Sequence, residues 1–336
     1  MKRTDAAVML GLALNAGLAQ AQTKTGTAIA QFVGIEPSAR IAAMGNAGVA
    51  VDDGIQSLYY NPGALGAASK TAVQFSHGFW FADIAYDYAA VVLPAGNWGN
   101  FSAAVTALNS GEIDVRTVSQ PLGTGQRYSV QDLAIGLGYG RQITDRFSAG
   151  GQINYVSESI WHSSMHVFTA SIGTSYRINN HGLTLGSSLL QFGTKGKFEG
   201  SDLAIQFDPD PSQAGNNSSL PANQFTGEFP VPILFRVGLS YPQRLSKSSR
   251  LLVAIDAFHP SDNTGGMNIG WEWTWKEAFS VRGGYQNLSQ QDSEVGLTGG
   301  VGVQGGLGAQ QYHVDYAWTY HAFLQGTHRV TFVLVL

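Results

Sequence analysis

The sequence predicts an all-β protein, a 14-stranded antiparallel transmembrane β-barrel with a short N-terminal plug-like segment. Three observations predict this fold class. Hydrophobicity alternates every second residue from about residue 71 to residue 336, the chain divides into fourteen segments of strand length, and charge is sparse. Charged residues make up 12% of the 336 residues, about half the share of an average soluble domain.

The remaining composition excludes several classes of protein. Lys and Arg number 19 and Asp and Glu number 23, which gives a formal net charge of −4. No basic cluster is available to contact nucleic-acid phosphates, so we expect no nucleic-acid partner. The chain has 42 glycines and no cysteine, and the absence of cysteine excludes disulfides, thiolate metal sites and cysteine nucleophiles. We expect no cofactor.

Residues 1–21 are predicted to be a cleavable signal peptide. Lys2 and Arg3 form a positive start, residues 6–18 are mostly apolar, and residues 19–21 read Ala-Gln-Ala, which fits a cleavage site. An N-terminal membrane anchor is the alternative interpretation. Export combined with a barrel predicts that the mature protein lies in the bacterial outer membrane.

Residues 22–70 are predicted to form a plug-like or hatch-like segment. They mix small residues without strict alternation, and residues 37–44 could form one short helix that Gly45 ends. Turn signals follow at residues 52–54 and 61–63. A stretch this short cannot form an independent domain without staples. We therefore expect it inside or beneath the barrel.

Residues 71–336 are predicted to form the barrel. In residues 267–275, for example, large apolar side chains alternate with small, polar and charged ones, and most segments reach the roughly 9–11 residues that a tilted membrane strand needs. The fourteen predicted segments are 71–81, 84–93, 99–109, 127–141, 146–158, 165–177, 182–192, 230–241, 249–259, 267–275, 278–287, 294–305, 310–321 and 327–336.

The links between these segments differ in length on the two sides of the barrel. Two links after odd-numbered segments are long, residues 110–126 and 193–229. The links after even-numbered segments are short, namely residues 94–98, 144–145, 179–181, 242–247, 276–277 and 306–309. Outer-membrane barrels have short periplasmic turns and longer extracellular loops. The pattern predicts that the short links face the periplasm.

Charges of both signs fall on the small and polar face of the last seven segments. Charges that face lipid are costly, so we predict that these side chains face the lumen. The predicted lumen-facing charges are Arg236, Asp256, Glu272, Arg282, Asp315 and Arg329. Two interpretations remain open: a structural ladder of ion pairs, with Glu272 and Arg282 paired on adjacent strands, or a polar pathway for a solute.

Before the barrel, three stretches carry a family resemblance. Residues 38–40 read Ser-Ala-Arg, residues 44–51 begin Met-Gly-Asn-Ala-Gly, and residues 58–65 read Leu-Tyr-Tyr-Asn-Pro-Gly-Ala-Leu. Together they resemble the PorV/PorQ family of outer-membrane barrels, which is related in fold to the FadL long-chain fatty-acid transporters. The residues that match the family motif are Arg40, Met44, Gly45, Asn61 and Pro62.

The resemblance implies a function as well as a location. The best-known PorV/PorQ members act in type IX secretion, where they receive or tether exported protein. The leading hypothesis is therefore a non-enzymatic, secretion-associated or surface-attachment component. Its implied partners are outer-membrane lipid, secreted cargo and other secretion-system proteins. The alternative is a FadL-like transporter of long-chain fatty acids or other hydrophobic small molecules.

Two further patterns bear on function. The link at residues 193–229 contains several apolar side chains, and we predict that it packs over the barrel mouth and binds the partner. His162 and His166 would meet at one metal only on a helix, and residues 300–305 spell G-x-G-x-x-G but lead into another strand. We predict neither a metal site nor a nucleotide site, and no catalytic residue.

Overall fold

Fourteen antiparallel strands close into one barrel in the computed structural model, which describes residues 24–52, 54–213, 215, 217, 219–290 and 293–336. The predicted signal peptide, residues 1–21, lies outside the described residues. The strands are β1 Ala72–Phe79, β2 Ala85–Pro94, β3 Asn100–Asn109, β4 Val130–Thr144, β5 Phe147–Ile160, β6 Ser163–Arg177, β7 Thr184–Gly193, β8 Leu234–Arg244, β9 Ser249–Pro260, β10 Gly266–Trp275, β11 Phe279–Tyr285, β12 Val295–Leu307, β13 Gln310–His321 and β14 Thr327–Val335.

Each strand pairs with its neighbours in sequence, and the first strand pairs with the last. Ala72 of β1 lies opposite Val335 of β14, and Phe79 lies opposite His328. The predicted strand number, the antiparallel order and the closed barrel are therefore confirmed. No helix among the described residues is long and apolar enough to span a membrane.

The alternation along each strand separates a lipid-facing wall from the lumen. In β10, the side chains of Trp271, Trp273 and Trp275 are exposed on the outside, whereas Asn268 and Glu272 are buried on the inside. An apolar outer wall with aromatic residues is the surface that a lipid bilayer requires of a barrel. The structure thus places the polar face of the sheet toward the lumen.

The turns follow the same two-sided arrangement. The β4–β5 and β10–β11 turns have two and three residues, 145–146 and 276–278, whereas residues 110–129 and 194–233 form long loops on the other side. The loop at 194–233 contains a small hairpin in which Ala204–Phe207 pairs with Leu220–Asn223. We assign the short turns to the periplasm and the long loops to the exterior.

Residues 24–70, called the N-terminal segment below, run through the lumen. The backbone N–H of Lys24 donates to Asp262 O at the outer mouth (3.1 Å), and Asn100 Nδ2 donates to Ala68 O near the periplasmic end (2.8 Å). Between them lie the helix α1, Ala39–Ala43, and short 3₁₀ turns at Gln31–Gly34 and Pro62–Ala67.

Local sequence explains the position of α1. Ser38 caps its N-terminus by accepting a hydrogen bond from the Ile41 N–H, and Gly45 follows its end with a φ of 64°. Ala39, Ala42 and Ala43 pack against Ala317 of β13. Side chains this small let the helix lie close to the barrel wall.

Candidate functional site

Glycines on the inner wall make room for the N-terminal segment. At eight inward-facing positions an added Cβ would meet a main-chain or side-chain atom of the segment. These glycines are Gly140, Gly150, Gly173, Gly186, Gly238, Gly270, Gly284 and Gly300. Such close backbone approach is available only to glycine. The high glycine content of this chain is therefore explained in part by the close contact between the segment and the wall.

Inward-facing hydroxyls satisfy the carbonyls of the segment. Ser188 Oγ donates to Tyr60 O (2.8 Å), Ser240 Oγ to Ala50 O (2.7 Å) and Thr298 Oγ1 to Ala43 O (3.0 Å). These serines and threonines lie on β7, β8 and β12, so the segment is held from several sides. Because buried carbonyls need hydrogen-bond donors, the polar inner wall stabilises a chain that has little regular structure.

The residues that carry the PorV/PorQ resemblance lie where this contact is closest. Asn61 Nδ2 donates to Val49 O (2.8 Å) and Thr174 O (2.9 Å), while its Oδ1 accepts the Gly63 N–H (2.9 Å). Pro62 begins the following 3₁₀ turn and is buried. The Asn-Pro pair therefore fixes a bend of the segment against β6.

The other motif positions lie at α1. Met44 is fully buried, and Gly45 lies so close to the backbone of β10 and β11 that an added Cβ would be 2.7 Å from Tyr285 N. Arg40 projects from α1 toward β10. Each motif residue contacts the wall or shapes the segment.

Four charged side chains form one network. Glu272 accepts from Arg40 through two hydrogen bonds, Nε to Oε2 at 2.6 Å and Nη2 to Oε1 at 2.7 Å. Arg282 Nε also donates to Glu272 Oε2 (2.7 Å), and Arg282 Nη1 donates to Asp315 Oδ1 (2.7 Å). All four side chains are buried, and charges in such a place persist only when they are paired and hydrogen-bonded.

The three remaining predicted charges contact the segment separately. Asp256 Oδ2 accepts the N–H groups of Gly48 (2.8 Å) and Val49 (2.9 Å). Arg236 Nη1 donates to Asn46 O at 3.3 Å. Arg329 Nη1 lies 3.4 Å from Glu36 Oε1. The structure thus brings Glu272, Arg282 and Asp315 together, whereas Arg236, Asp256 and Arg329 each face their own part of the segment.

A pocket of about 670 Å³ opens at the outer mouth. It lies between the β3–β4 loop, the β5–β6 turn and the β7–β8 loop. Its apolar and aromatic lining residues are Ile113, Val115, Tyr128, Ile160, Trp161, Phe198 and Leu203. Alternation along the sequence does not reveal this pocket, because its lining comes from three connections that are distant in sequence.

A side-chain contact adds to the backbone pairing of Glu199 and Gly200 with Ser164 and Ser163 in holding the β7–β8 loop at this pocket. His162 Nδ1 lies 2.9 Å from Asp202 Oδ1, and the His162 N–H donates to Asp202 Oδ2 at 2.9 Å. Desolvation acts to raise the pKa of Asp202, but the hydrogen bonds from His162 and Ser163 outweigh it and leave that pKa below its usual value. His162 therefore tethers the loop. His166 instead contacts Tyr155 Oη at 2.9 Å.

Beneath the outer pocket an apolar cluster closes the lumen. Ile29 and Phe32 of the N-terminal segment pack with Met165 and Val167 of β6 and with Val231. Phe198, which also lines the outer pocket, packs against the same cluster. Below it lies a cavity of only about 50 Å³, room for a few water molecules at most. The path from the outer pocket to the periplasm is therefore blocked by the segment.

The described residues offer little support for a metal site or a nucleotide site. Across the described ranges, no group of three or more His, Asp or Glu side chains could hold a metal ion. The glycines of residues 300–305 lie within β12, where no helix follows to bind a pyrophosphate.

Comparison with known proteins identifies solved structures that share this fold. No family model matches the chain, and no curated protein does. The toluene transporter TodX of Pseudomonas putida has a similar structure, with 12% identity, a TM-score of 0.55, and coverage of 90% of this chain and 98% of TodX. The monoaromatic hydrocarbon channel CymD is similar at 11% identity and a TM-score of 0.52, with 89% and 96% coverage. The chain therefore has the same barrel fold as these two proteins.

Proposed function

We propose that this protein is an outer-membrane channel for small hydrophobic molecules and that its N-terminal segment is the gate. The apolar outer pocket carries the proposal, because it lies directly above a lumen that noncovalent contacts alone keep closed. A general porin would need a wide water-filled lumen, and a 50 Å³ cavity is far too small.

The outer pocket provides the first step, capture from water. Trp161, Phe198 and Leu203 present apolar surface at the mouth. Each Å² of apolar surface that a solute removes from water contributes about 25 cal/mol. A hydrophobic molecule is therefore concentrated at the point where the lumen begins.

The apolar cluster provides the second step. Ile29 and Phe32 contact Met165 and Val167 through dispersion and the hydrophobic effect, without polar groups that need partners. A hydrophobic solute can replace these contacts without leaving an unsatisfied donor or acceptor. A polar solute cannot, so the cluster selects for hydrophobicity.

Deeper movement of the segment has to break the contact between Arg40 and Glu272. Arg282, which belongs to the wall, stays hydrogen-bonded to Glu272 when Arg40 leaves. The wall therefore keeps its buried carboxylate paired in both states, and this lowers the cost of moving the segment.

The names of the similar structures support small hydrophobic molecules as the class of solute. TodX is described as a toluene transporter and CymD as a monoaromatic hydrocarbon channel. At 11–12% identity they share the fold with this chain and fix no compound. Monoaromatic hydrocarbons and long-chain fatty acids are the two solute classes to test.

Uptake in cells tests the proposal. The protein is expressed in a strain without its own hydrocarbon or fatty-acid channel, and uptake of labelled toluene and labelled oleate is measured beside a labelled sugar. We expect uptake of at least one hydrophobic solute and none of the sugar. Trp161→Ala combined with Phe198→Ala should reduce that uptake several-fold, because the pocket loses its aromatic lining.

Trp98→Ala is the matched control. Trp98 is 80% exposed at the opposite mouth, in the β2–β3 turn, and touches no part of the proposed path. Uptake that falls equally in both variants, or that never exceeds the level of cells without the protein, would refute the channel.

A second candidate is the attachment of an exported protein, the role that the PorV/PorQ resemblance implies. The exposed hairpin of the β7–β8 loop favours it: Ile205 and Phe207 are 42% and 51% exposed, and Phe225 beside it is 92% exposed. The base of the same loop packs over the mouth through Phe198.

The two candidates are separated by deleting residues 204–223. The Gln224 N–H donates to Leu203 O (2.8 Å), so the cut ends already lie together and the outer pocket keeps its lining. A channel keeps its hydrophobic uptake in this variant. An attachment component loses its surface partner and shows no uptake to begin with.

A further inference from the structure

A cleft of about 450 Å³ opens at the periplasmic mouth, between the β8–β9 and β10–β11 turns. Four cations and one carboxylate line it, together with three serine hydroxyls and a threonine. Its lining residues are Arg244, Ser246, Lys247, Ser248, Ser249, Arg250, Thr274, Lys276 and Glu277. The excess of cations over carboxylates creates a positive potential in a concave site, which attracts anions.

The protein's own carboxylates leave these cations largely unmatched. Arg250 Nη2 lies 3.8 Å from Glu272 Oε1, but that carboxylate is already hydrogen-bonded to Arg40 and Arg282. Within the part of the chain that the structure describes, Arg244, Lys247 and Lys276 form no ion pair.

Backbone conformation gives a second, independent observation. Lys276 and Glu277 have φ values of 52° and 51° in the β10–β11 turn. Asn-Gly or Asp-Gly is the usual sequence where two successive turn residues need positive φ, because other side chains are disfavoured there. Lys276 and Glu277 are therefore held in a conformation that non-glycine residues adopt at a cost, and such conformations cluster at functional sites.

The two turns hold the cleft in a fixed shape. The Lys276 N–H donates to Ser248 O (2.6 Å), which joins one turn to the other. Ser246 Oγ lies 3.0 Å from Ser249 Oγ and accepts the Ser248 N–H at 3.2 Å. The serine hydroxyls of the cleft are therefore already held beside one another.

The cleft lies at the level of lipid headgroups. Lys276 Nζ is 4.6 Å from the centre of the Trp275 ring, and Trp275 and Phe279 are exposed on the lipid-facing wall. Aromatic girdles of barrels mark the boundary between hydrocarbon and headgroups. The cations are thus within reach of both the periplasm and the headgroup region of the periplasmic leaflet.

We propose that this cleft binds a phosphate-type anion, carried either by a phospholipid headgroup or by a soluble phosphate compound. A carboxylate has two oxygens and one charge, too few for four cations and the neighbouring hydroxyls. A phosphate offers more acceptor oxygens, which an arginine can engage two at a time and lysines can engage as point charges. Arg250 joins the cleft to the Glu272 network, but the proposal of an anion site does not rest on the proposed channel.

Binding to the purified full chain in uncharged detergent tests the proposal. The probes are dihexanoyl phosphatidylglycerol and inorganic phosphate, each titrated and followed by calorimetry. Arg244→Gln, Lys247→Gln and Lys276→Gln are combined in one variant. At about 1 kcal/mol for each cation near an anionic lipid, the triple change should weaken binding on the order of 100-fold.

The matched control removes the same charge at the other mouth, by combining Arg127→Gln, Lys195→Gln and Lys197→Gln. All three side chains are exposed on outer loops. This control should bind both probes like the unmodified protein. If the periplasmic triple variant fails to fold, Lys247→Gln at the tip of its turn replaces it and should weaken binding several-fold.

Each possible result of these titrations either supports or overturns the proposed anion site. Binding of phosphatidylglycerol that only the periplasmic variant loses supports the site with a lipid ligand. The same result with inorganic phosphate supports a soluble ligand. No binding of either probe, or equal losses in the two triple variants, overturns the proposal.

Discussion

Glu272 shares one carboxylate between two arginines that belong to different parts of the molecule. Arg40 comes from the N-terminal segment and Arg282 from the next strand of the wall. The pair across β10 and β11 was predictable, since two alternating strands joined by a short turn place Glu272 opposite Arg282. The pair with Arg40 was not, because 232 residues separate the two and only the threading of the segment brings them together.

A double-mutant cycle on this network tests its energetics. Glu272→Gln should lower the free energy of unfolding in detergent micelles by about 3–5 kcal/mol, because Arg40 and Arg282 lose their charged partner. Combining it with Arg282→Met should cost less than the sum of the two single changes. Glu294→Gln, at an exposed outer position, is the control and should have almost no effect. Strictly additive effects would show that Glu272 and Arg282 do not interact.

Among the elements of the fold, the strands can be predicted from local sequence, whereas the contacts of the N-terminal segment involve residues that are distant in sequence. The fourteen strands were predictable because alternation is local and repeats along each strand. The segment was expected inside or beneath the barrel, but its contacts with the wall were not predictable, because they depend on which inward-facing residues are glycine. Gly270 meets Met44 and Gly186 meets Val49, contacts that join distant parts of the sequence. The outer pocket was not predictable either, because the residues that line it are also distant in sequence.

Gly270→Ala should loosen the N-terminal segment without opening the barrel. The added Cβ has no room beside Met44, so the segment must shift, at about 1–3 kcal/mol for such overpacking. Trypsin should then cut after Arg40 faster than in the unmodified protein, in which Arg40 is only 9% exposed. The control Gly299→Ala adds its Cβ 3.8 Å from the nearest atom. Equal cleavage in the two variants would contradict the close fit.

The tether between the β7–β8 loop and β6 should weaken in acid. The pKa of Asp202 is lower in the folded protein than its usual value, so its contact with His162 stabilises the loop above about pH 4 and is lost as the pH falls through the lowered pKa. A fluorophore on Ser201→Cys should report rising loop mobility in that range. Adding Asp202→Asn should raise the mobility at neutral pH and remove its dependence on pH, while the backbone pairing of Glu199 and Gly200 with β6 remains. A mobility independent of pH in the parent protein would exclude the tether.

At the scale of the whole molecule, the two mouths of the barrel differ in chemistry. The outer mouth presents an apolar pocket, the lumen is occupied by a chain segment, and the periplasmic mouth presents a cleft rich in cations. Alternation predicted the barrel, and the loop lengths are the basis for the orientation that we assign to it. They did not predict this difference, because each mouth is assembled from loops and turns that are distant in sequence.

If the N-terminal segment must move for a hydrophobic solute to pass, a reversible disulfide that holds the segment to the wall should stop uptake. An added Cβ at Gly300 would lie 2.6 Å from Ala43 Cβ and closer still to Tyr316 O, so both α1 and the wall must shift by roughly 1 Å for Ala43→Cys and Gly300→Cys to form a disulfide. The chain has no cysteine of its own, so no other disulfide can form. Uptake of labelled toluene and oleate is measured in the oxidised and the reduced state, with each single cysteine variant as a control. We predict that oxidation reduces uptake to the level of cells without the protein and that a reductant restores it; equal uptake in both states would contradict the gate.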